Sequence, residues 1–493
     1  MAHNRPSLEE FNYFKETGKY SIVPVSREIF SDIRTPIEVL NILRQVSRHV
    51  YLLESAEDAE KWGRYTFLGF EPLLEFVCEN GKITITSGTV LEIQQGNPED
   101  YIRHILEENK APKIPYLPSF TGGLVGYFSY DYIKYSEPSL KFEEQEEEHF
   151  KDVDLMLFDK VIVFDNLRQK IILIANAKTA EGEAGYRKAV MELDSMENLL
   201  KTMEPKQVES GHRLTEIKPM FSRKEYCLMV EKAKKYIYEG DIFQAVLSNR
   251  LEADFEGSLL NTYRVLRTTN PSPYMFYFSS DDLEIAGASP ETLVKVQNRI
   301  IHTFPLAGTR RRGKTEEEDK ELEEELLSDE KELAEHNMLV DLGRNDLGKI
   351  SSFGSVKVEK YKEIQRFSHV MHIGSTVKGE LKEGKTVLDG VSAVLPAGTL
   401  SGAPKIRACQ IIQELEKNKR GIYGGAVGYL DFTGNMDLCI AIRLAYKKNN
   451  KVFIRSGAGI VADSVPEKEF EECMNKAGAV LNALDMAEEG AGL

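Results

Sequence analysis

Short apolar runs bounded by turn residues dominate the chain, and their length is that of β-strands. Residues 161–164 and 171–175 are typical, with four or five apolar side chains each, against the roughly 20 that a bilayer requires. Similar runs recur at 62–70, 74–77, 246–251, 274–278, 284–288, 300–304, 426–430, 436–445 and 451–454. Residues 155–164 and 170–174 read as a hairpin. The stretch PYLPSFTGGLVGYFSY ends at Tyr130; its paired glycines predict a strand lying close to other backbone. Apolar positions at helical spacing predict helices over 182–203, 222–239, 258–267, 330–342, 403–417 and 465–486. This mixture predicts an α+β fold with large, mainly antiparallel sheets in a sandwich-like core, flanked by helices, in two intertwined parts.

The chain of 493 residues is long enough for two or three domains. Residues 204–219 (EPKQVESGHRLTEIKP) are polar and aperiodic and read as a linker between parts 1–203 and 220–493. The acidic run 143–148 reads as a solvated loop. The formal net charge of -16 argues against a nucleic-acid partner, which needs a basic footprint. It leaves room for an anionic substrate, since a few local cations outweigh a distant surface charge. The five cysteines are scattered, with no Cys-x-x-Cys, so neither a disulfide framework nor a zinc site is expected. The N-terminal MAHNRPSLEEF has no apolar core of a signal peptide. A cytoplasmic protein with no membrane association is expected.

The last helix carries the clearest polar pattern. Ser464 and Glu467 have the form of a capping box, with Pro466 in the first turn. Phe470, Cys473, Met474, Ala477, Leu481 and Leu484 form one apolar stripe, and Glu469 and Glu472 lie together on its flank. Glu332 and Glu335 repeat that spacing. Two helices packed along such stripes would bring four carboxylates together, a donor set suited to a hard dication. Glu-x-x-Glu on a helix is more often a wet face, and Glu318/Glu321 and Glu321/Glu324 have the same spacing. The dense polar neighbourhood of Glu332 and Glu335, with His336 and the run from Asp341 to Asp346, favours that pair.

Gly308 to Thr315 (GTRRRGKT) meets every fixed position of a phosphate-binding P-loop. Its context is wrong: His302 and Pro305 interrupt the preceding strand, and the acids 316–319 follow where phosphate charge would sit. Its three arginines are expected to attract or cover a carboxylate substrate. Glycines in PAGTLSGAPK (396–405), RGIYGG (420–425) and RSGAG (455–459) would let backbone N–H groups approach an anion. Arg443 reads as a member of an alternating strand, either on the surface or pointing inward to a carboxylate. His369 and His372 are candidates, although a lone histidine is more often packed. Glu291 follows a strand and reads equally as a general acid or a helix N-terminal carboxylate.

Taken in order, GDIFQAVLS, GASPE, AGTR, ELAEH, DLGRND, HVMH, PAGTLSGAPK, IYGGAVGY, IRSGAGIV and the closing Glu-x-x-Glu resemble the chorismate-binding enzymes over residues 220–485. Members that add water to chorismate carry a lysine at the position of Gln244. Aminodeoxychorismate synthases carry Lys where this chain has Ala307, and PGGSITGAPK where it has PAGTLSGAPK. The resemblance is therefore to the anthranilate synthase component I group, with aminodeoxychorismate synthase component I as the alternative.

What that implies is a magnesium-dependent lyase converting chorismate and ammonia to anthranilate and pyruvate, in tryptophan biosynthesis. Residues 220–493 would be catalytic and 1–203 regulatory and structural. Magnesium would be held by Glu332, Glu335, Glu469 and Glu472, directly or through water. Glu291 would be the acid, His372 the base for pyruvate loss, and Thr399 a further catalytic residue. Gly308, Thr309, Tyr423, Arg443, Gly457, Ala458 and Gly459 match chorismate-contacting positions. A second resemblance lies in LLES, giving Leu53, Glu54 and Ser55, and in NPSPYM, giving Asn270, Pro273, Tyr274 and Met275. It implies a pocket for L-tryptophan as feedback inhibitor. No glutaminase nucleophile is recognisable, so a separate glutamine amidotransferase subunit is expected to supply ammonia. A nucleotide-binding protein and a catalytically silent tryptophan sensor are the readings from other classes.

Overall fold

Residues 3–56, 63–140, 148–366 and 370–490 are described by the computed structural model. His369, Trp62 and most of the acidic run 143–148 lie outside them. Among the described residues, two large sheets of 13 and 12 strands form the body. Strands from before and after residues 204–219 share both. In the first sheet they meet where Val50–Glu54 pairs with Tyr274–Ser279; in the second, where Gly123–Phe128 pairs with Ala426–Asp431. The ladders are antiparallel, and the fold is α+β with helices on the outer faces.

Aromatic side chains fill the space between the sheets. Tyr51, Phe276 and Phe453 from the first pack with Phe158, Tyr429 and the loop residue Phe120. The ring centroids of Phe120 and Tyr429 are 4.4 Å apart. Each fully buried Phe is worth about 1.5–3 kcal/mol relative to exposure. The outer face of the first sheet buries its apolar residues against helices Pro36–Val46, Glu183–Thr202, Leu260–Thr269 and Pro466–Glu488. The outer face of the second packs on Pro98–Glu108, Glu330–Ile350 and Val387–Val394.

Two apolar runs that read as single strands each divide between the sheets. Residues 155–164 belong to Val153–Phe158 in the second sheet and Lys160–Asp165 in the first, with the turn at Asp159. Only the latter makes the expected hairpin with Lys170–Lys178. Residues 436–445 likewise split into Met436–Ile440 and Leu444–Lys448. A third crossing joins Leu283–Ser289 to Thr292–Gln297 through Pro290 and Glu291. The last two crossings are bonded together: Ile440 N–H donates to the Glu291 carbonyl at 2.9 Å, and Ala288 N–H to the Arg443 carbonyl at 3.0 Å. Arg443 therefore sits at a corner with φ +51°, not in an alternating strand.

The expected glycine approach is present. A Cβ on Gly126 would fall 2.0 Å from the Asp154 carbonyl oxygen, so only glycine lets those backbones meet. The helix at 330–342 continues to Ile350 and absorbs the polar run 341–346. Within it Asp346 is buried and accepts from Lys405 Nζ at 2.6 Å. Asp346 is thus a structural tie between this helix and Lys405–Glu416, while Asp341 and Arg344 form an exposed pair. The C-terminal helix begins at Pro466 with no side-chain cap, so the expected capping box is absent. Ser464 instead turns its hydroxyl to Val461 N–H and to Glu469.

Candidate active site between the two sheets

A cavity of about 830 Å³ opens where the Pro290–Glu291 and 441–443 crossings pass between the sheets. Glu291, His372, Thr399, Gly308, Thr309, Tyr423, Arg443, Gly457 and Gly459 line it, as do Glu332, Glu335, Glu469 and Glu472. Ala458 lies on the same strand but alternation turns its side chain away, into the cluster of Ile412 and Cys473.

Glu291 occupies the crossing itself. Its Oε1 accepts from the Thr399 hydroxyl at 3.1 Å. Burial pushes its carboxyl up to about 7, although the Thr399 bond and the charges of Arg443 and Lys476 oppose the shift. It does not sit at a helix N-terminus, since strands flank it on both sides. His372, on Val370–Glu380, donates from Nδ1 to the Gly308 carbonyl at 2.9 Å. The carbonyl can only accept, so the lone pair of the neutral ring sits on Nε2. Burial lowers the imidazole's pKa, with Arg443 acting in the same direction.

Gly308 is where both backbone and space disfavour a side chain. Its φ is +67°, and a Cβ would meet Leu326 Cδ1 at 2.9 Å and Glu332 Oε2 at 3.3 Å. The glycine thus lets the first turn of Glu330–Ile350 come down over the Leu306–Arg311 strand. Asp329 caps that helix by accepting from the N–H groups of Lys331 and Glu332. Glu332 Oε1 also lies 3.5 Å from Arg310 Nη1. Glu335 is raised by burial and by the charge of Glu332, while a bond from Gln244 opposes this. Glu469 is raised by burial and by Glu472, with Ser464 opposing. Glu472 pairs with Lys476 Nζ at 2.7 Å.

Two glutamate pairs therefore face one cavity from two helices, each holding a carboxylate above its ordinary pKa. Oxygen-only donors with that frustrated charge fit a hard dication. Among the described residues, however, no three acidic, His or Cys side chains are grouped closely enough to hold an ion. The glutamates come as separated pairs, and the rest of an ion's shell would be water or substrate oxygen.

The arginines of the GTRRRGKT loop do not face a ligand. Arg310 pairs with Glu325 and Asp329, Arg311 with Glu318, and Arg312 with Asp319. The N–H groups of Gly313 and Lys314 donate to Asp319 and Glu318. The three guanidiniums and these two N–H groups are thus paired with carboxylates between Glu318 and Asp329, not held open for a substrate as expected.

The two segments of the second resemblance are adjacent strands, with Met275 opposite Glu54 and Phe276 opposite Leu53. Glu54 accepts from Tyr263 Oη at 2.6 Å and from Arg267 Nε at 2.6 Å. Asn270 and Pro273 line the same 830 Å³ cavity; Leu53, Glu54, Ser55, Tyr274 and Met275 do not. Two charged lining residues escaped the sequence reading. Lys476 stands four residues after Glu472 on one helical flank, a spacing that could have marked it. Lys331 precedes Glu332 and carries no signal of its own.

The family model described as "chorismate binding enzyme" matches residues 48–482. Anthranilate synthase component 1 of Acetivibrio thermocellus is 45% identical over 494 residues, covering 98% of this chain and 99% of that protein. That of Aquifex aeolicus is 46% identical over 500 residues, covering 98% of each. The crystal structure of anthranilate synthase component I from Streptococcus pneumoniae superposes with a TM-score of 0.74 at 38% identity, over 92% of this chain and 98% of that one. With a match to most of its length and full-length relatives well above 30% identity, the chain belongs to the chorismate-binding enzyme family.

Proposed function

We propose that the chain is the chorismate-using subunit of anthranilate synthase, which converts chorismate and ammonia to anthranilate and pyruvate. The observation that carries the reading is the Glu291–Thr399 contact in a cavity shared with a neutral His372. A carboxyl that titrates near 7 is half protonated at neutral pH and so matched to general-acid work on a leaving hydroxyl. His372 has its lone pair on Nε2 and is suited to take the ring proton as pyruvate departs. Arg443, at the corner beside Glu291, is placed to hold a substrate carboxylate. Gly308, Gly457 and Gly459 keep the walls bare of side chains where the substrate would lie. Magnesium, held by Glu332, Glu335, Glu469 and Glu472 directly or through water, would neutralise the ring carboxylate.

A separate glutamine amidotransferase subunit would deliver the ammonia, and a cytoplasmic setting accords with it. Among the described residues no helix is long and apolar enough to cross a membrane. L-Tryptophan would bind between the 53–55 and 270–275 segments and shift a conformational equilibrium. The test is product identity. The purified chain, given chorismate, magnesium and ammonium, should yield an ortho amino acid lacking the enolpyruvyl group. Recovery of an amine that retains that group would support the aminodeoxychorismate reading, against which Ala307 and Thr399 stand.

A further inference from the structure

Tyr274 reaches from the first sheet across to the second. Its hydroxyl lies 2.8 Å from Asp437 Oδ1 and 2.9 Å from Thr292 Oγ1. Lys295 Nζ holds the other oxygen of Asp437 at 2.9 Å. A carboxylate only accepts, so Tyr274 donates to Asp437 and its oxygen is left to accept from the Thr292 hydroxyl. Thr292 is the residue after Glu291, and the ladder it enters slips register between Thr292 and Val294. A slipped register disrupts the ladder locally, so fewer backbone bonds fix the strand there.

On the other side of Glu291, the Ser289 hydroxyl donates to the Ile440 carbonyl at 2.7 Å and accepts from Glu291 N–H at 3.3 Å. Glu291 is therefore pinned before and after, by Ser289 to the neighbouring crossing and by Thr292 to Tyr274. The second pin comes from the opposite sheet, so it fixes the carboxyl relative to both walls of the cavity.

We propose that Thr292 is a positioning residue whose bond to Tyr274 sets the angle at which the Glu291 carboxyl meets Thr399 and the substrate. It rests on Glu291 being the acid of the proposed reaction. Without the bond the crossing relaxes, the carboxyl becomes better hydrated, and proton delivery is misaligned while the substrate cradle at Arg443 and Gly457–Gly459 is untouched.

Thr292→Val removes the hydroxyl at nearly constant volume, and Thr292→Ser keeps it. Ammonium-dependent anthranilate formation is followed against pH for both, with the melting temperature measured alongside. Thr292→Val should lower kcat about ten- to hundredfold, leave KM for chorismate within about twofold, and move the upper pH limb of kcat/KM downward. Thr292→Ser should restore both. Tyr274→Phe, which breaks the bond from its other end, should give the same shift and stands in if Thr292→Val does not fold. Wild-type kcat and an unmoved limb in Thr292→Val overturn the proposal. So do equal losses in the Val and Ser variants with only a lowered melting temperature. A wild-type enzyme with no limb near pH 7 overturns the acid assignment to Glu291 beneath it.

Discussion

The Thr399 hydroxyl donates to Glu291 Oε1 across 3.1 Å, joining the 396–405 loop to the crossing between the sheets. The bond favours the ionised carboxyl and so opposes the burial that raises it. Thr399→Ala should therefore move the upper limb of the kcat/KM profile to higher pH than in the wild type, with lower activity throughout. A pH series on the purified variant measures it, and a downward shift would contradict the assignment.

Glu291→Gln keeps the shape of the side chain and removes its proton. It should cost about 10²–10⁴ in kcat and abolish the limb near pH 7. It also has a stability consequence. A carboxyl whose folded pKa is raised contributes stability that is full below its unfolded value and is lost as pH rises through about 7. The melting temperature of Glu291→Gln should thus gain on that of the wild type between about pH 5 and 8. Parallel curves would mean that Glu291 is not held above its ordinary range.

Magnesium should raise the melting temperature in the absence of any substrate, because an ion that binds only the folded chain stabilises it by mass action. The effect should shrink in Glu335→Gln and vanish in Glu335→Gln/Glu469→Gln. Differential scanning fluorimetry with and without EDTA reads this out. An undiminished shift in the double variant would place the ion elsewhere.

Asp346 and Lys405 form a buried pair at 2.6 Å, with 6% and 8% of their side chains exposed. Asp346→Asn leaves the ammonium without its partner and should cost about 3–5 kcal/mol. Asp346→Leu/Lys405→Met should recover much of that loss. Urea titrations of the three proteins decide it.

How far the fold and site were legible varies with what each feature depends on. The C-terminal helix was readable from its stripe and its proline, because those signals are local. Spacing alone left Glu332/Glu335 level with Glu318/Glu321, and what separates them is tertiary: Glu318 is spent on Arg311 while Glu335 faces the cavity. The crossings at Asp159 and at 441–443 were unreadable, since an apolar run looks the same whether it stays in one sheet or changes to another. Arg443 reads as a strand residue for that reason, although it sits at the corner. Glu291 stayed ambiguous because its partner Thr399 lies 108 residues away.

Ser55→Phe should leave ammonium-dependent turnover near the wild-type rate and remove inhibition by tryptophan. Ala56 N–H donates to the Ser272 carbonyl at 3.0 Å, so a phenyl ring at Ser55 would crowd the junction of the two segments. A variant still fully inhibited would exclude that junction as the inhibitor site.

The most direct test is stoichiometry. The purified chain alone is mixed with chorismate, magnesium and a high concentration of ammonium salt, and anthranilate fluorescence and pyruvate release are followed together. One pyruvate for each anthranilate, in the absence of any amidotransferase, is the expected result. No fluorescence, or an amino product formed without pyruvate, would contradict the assignment.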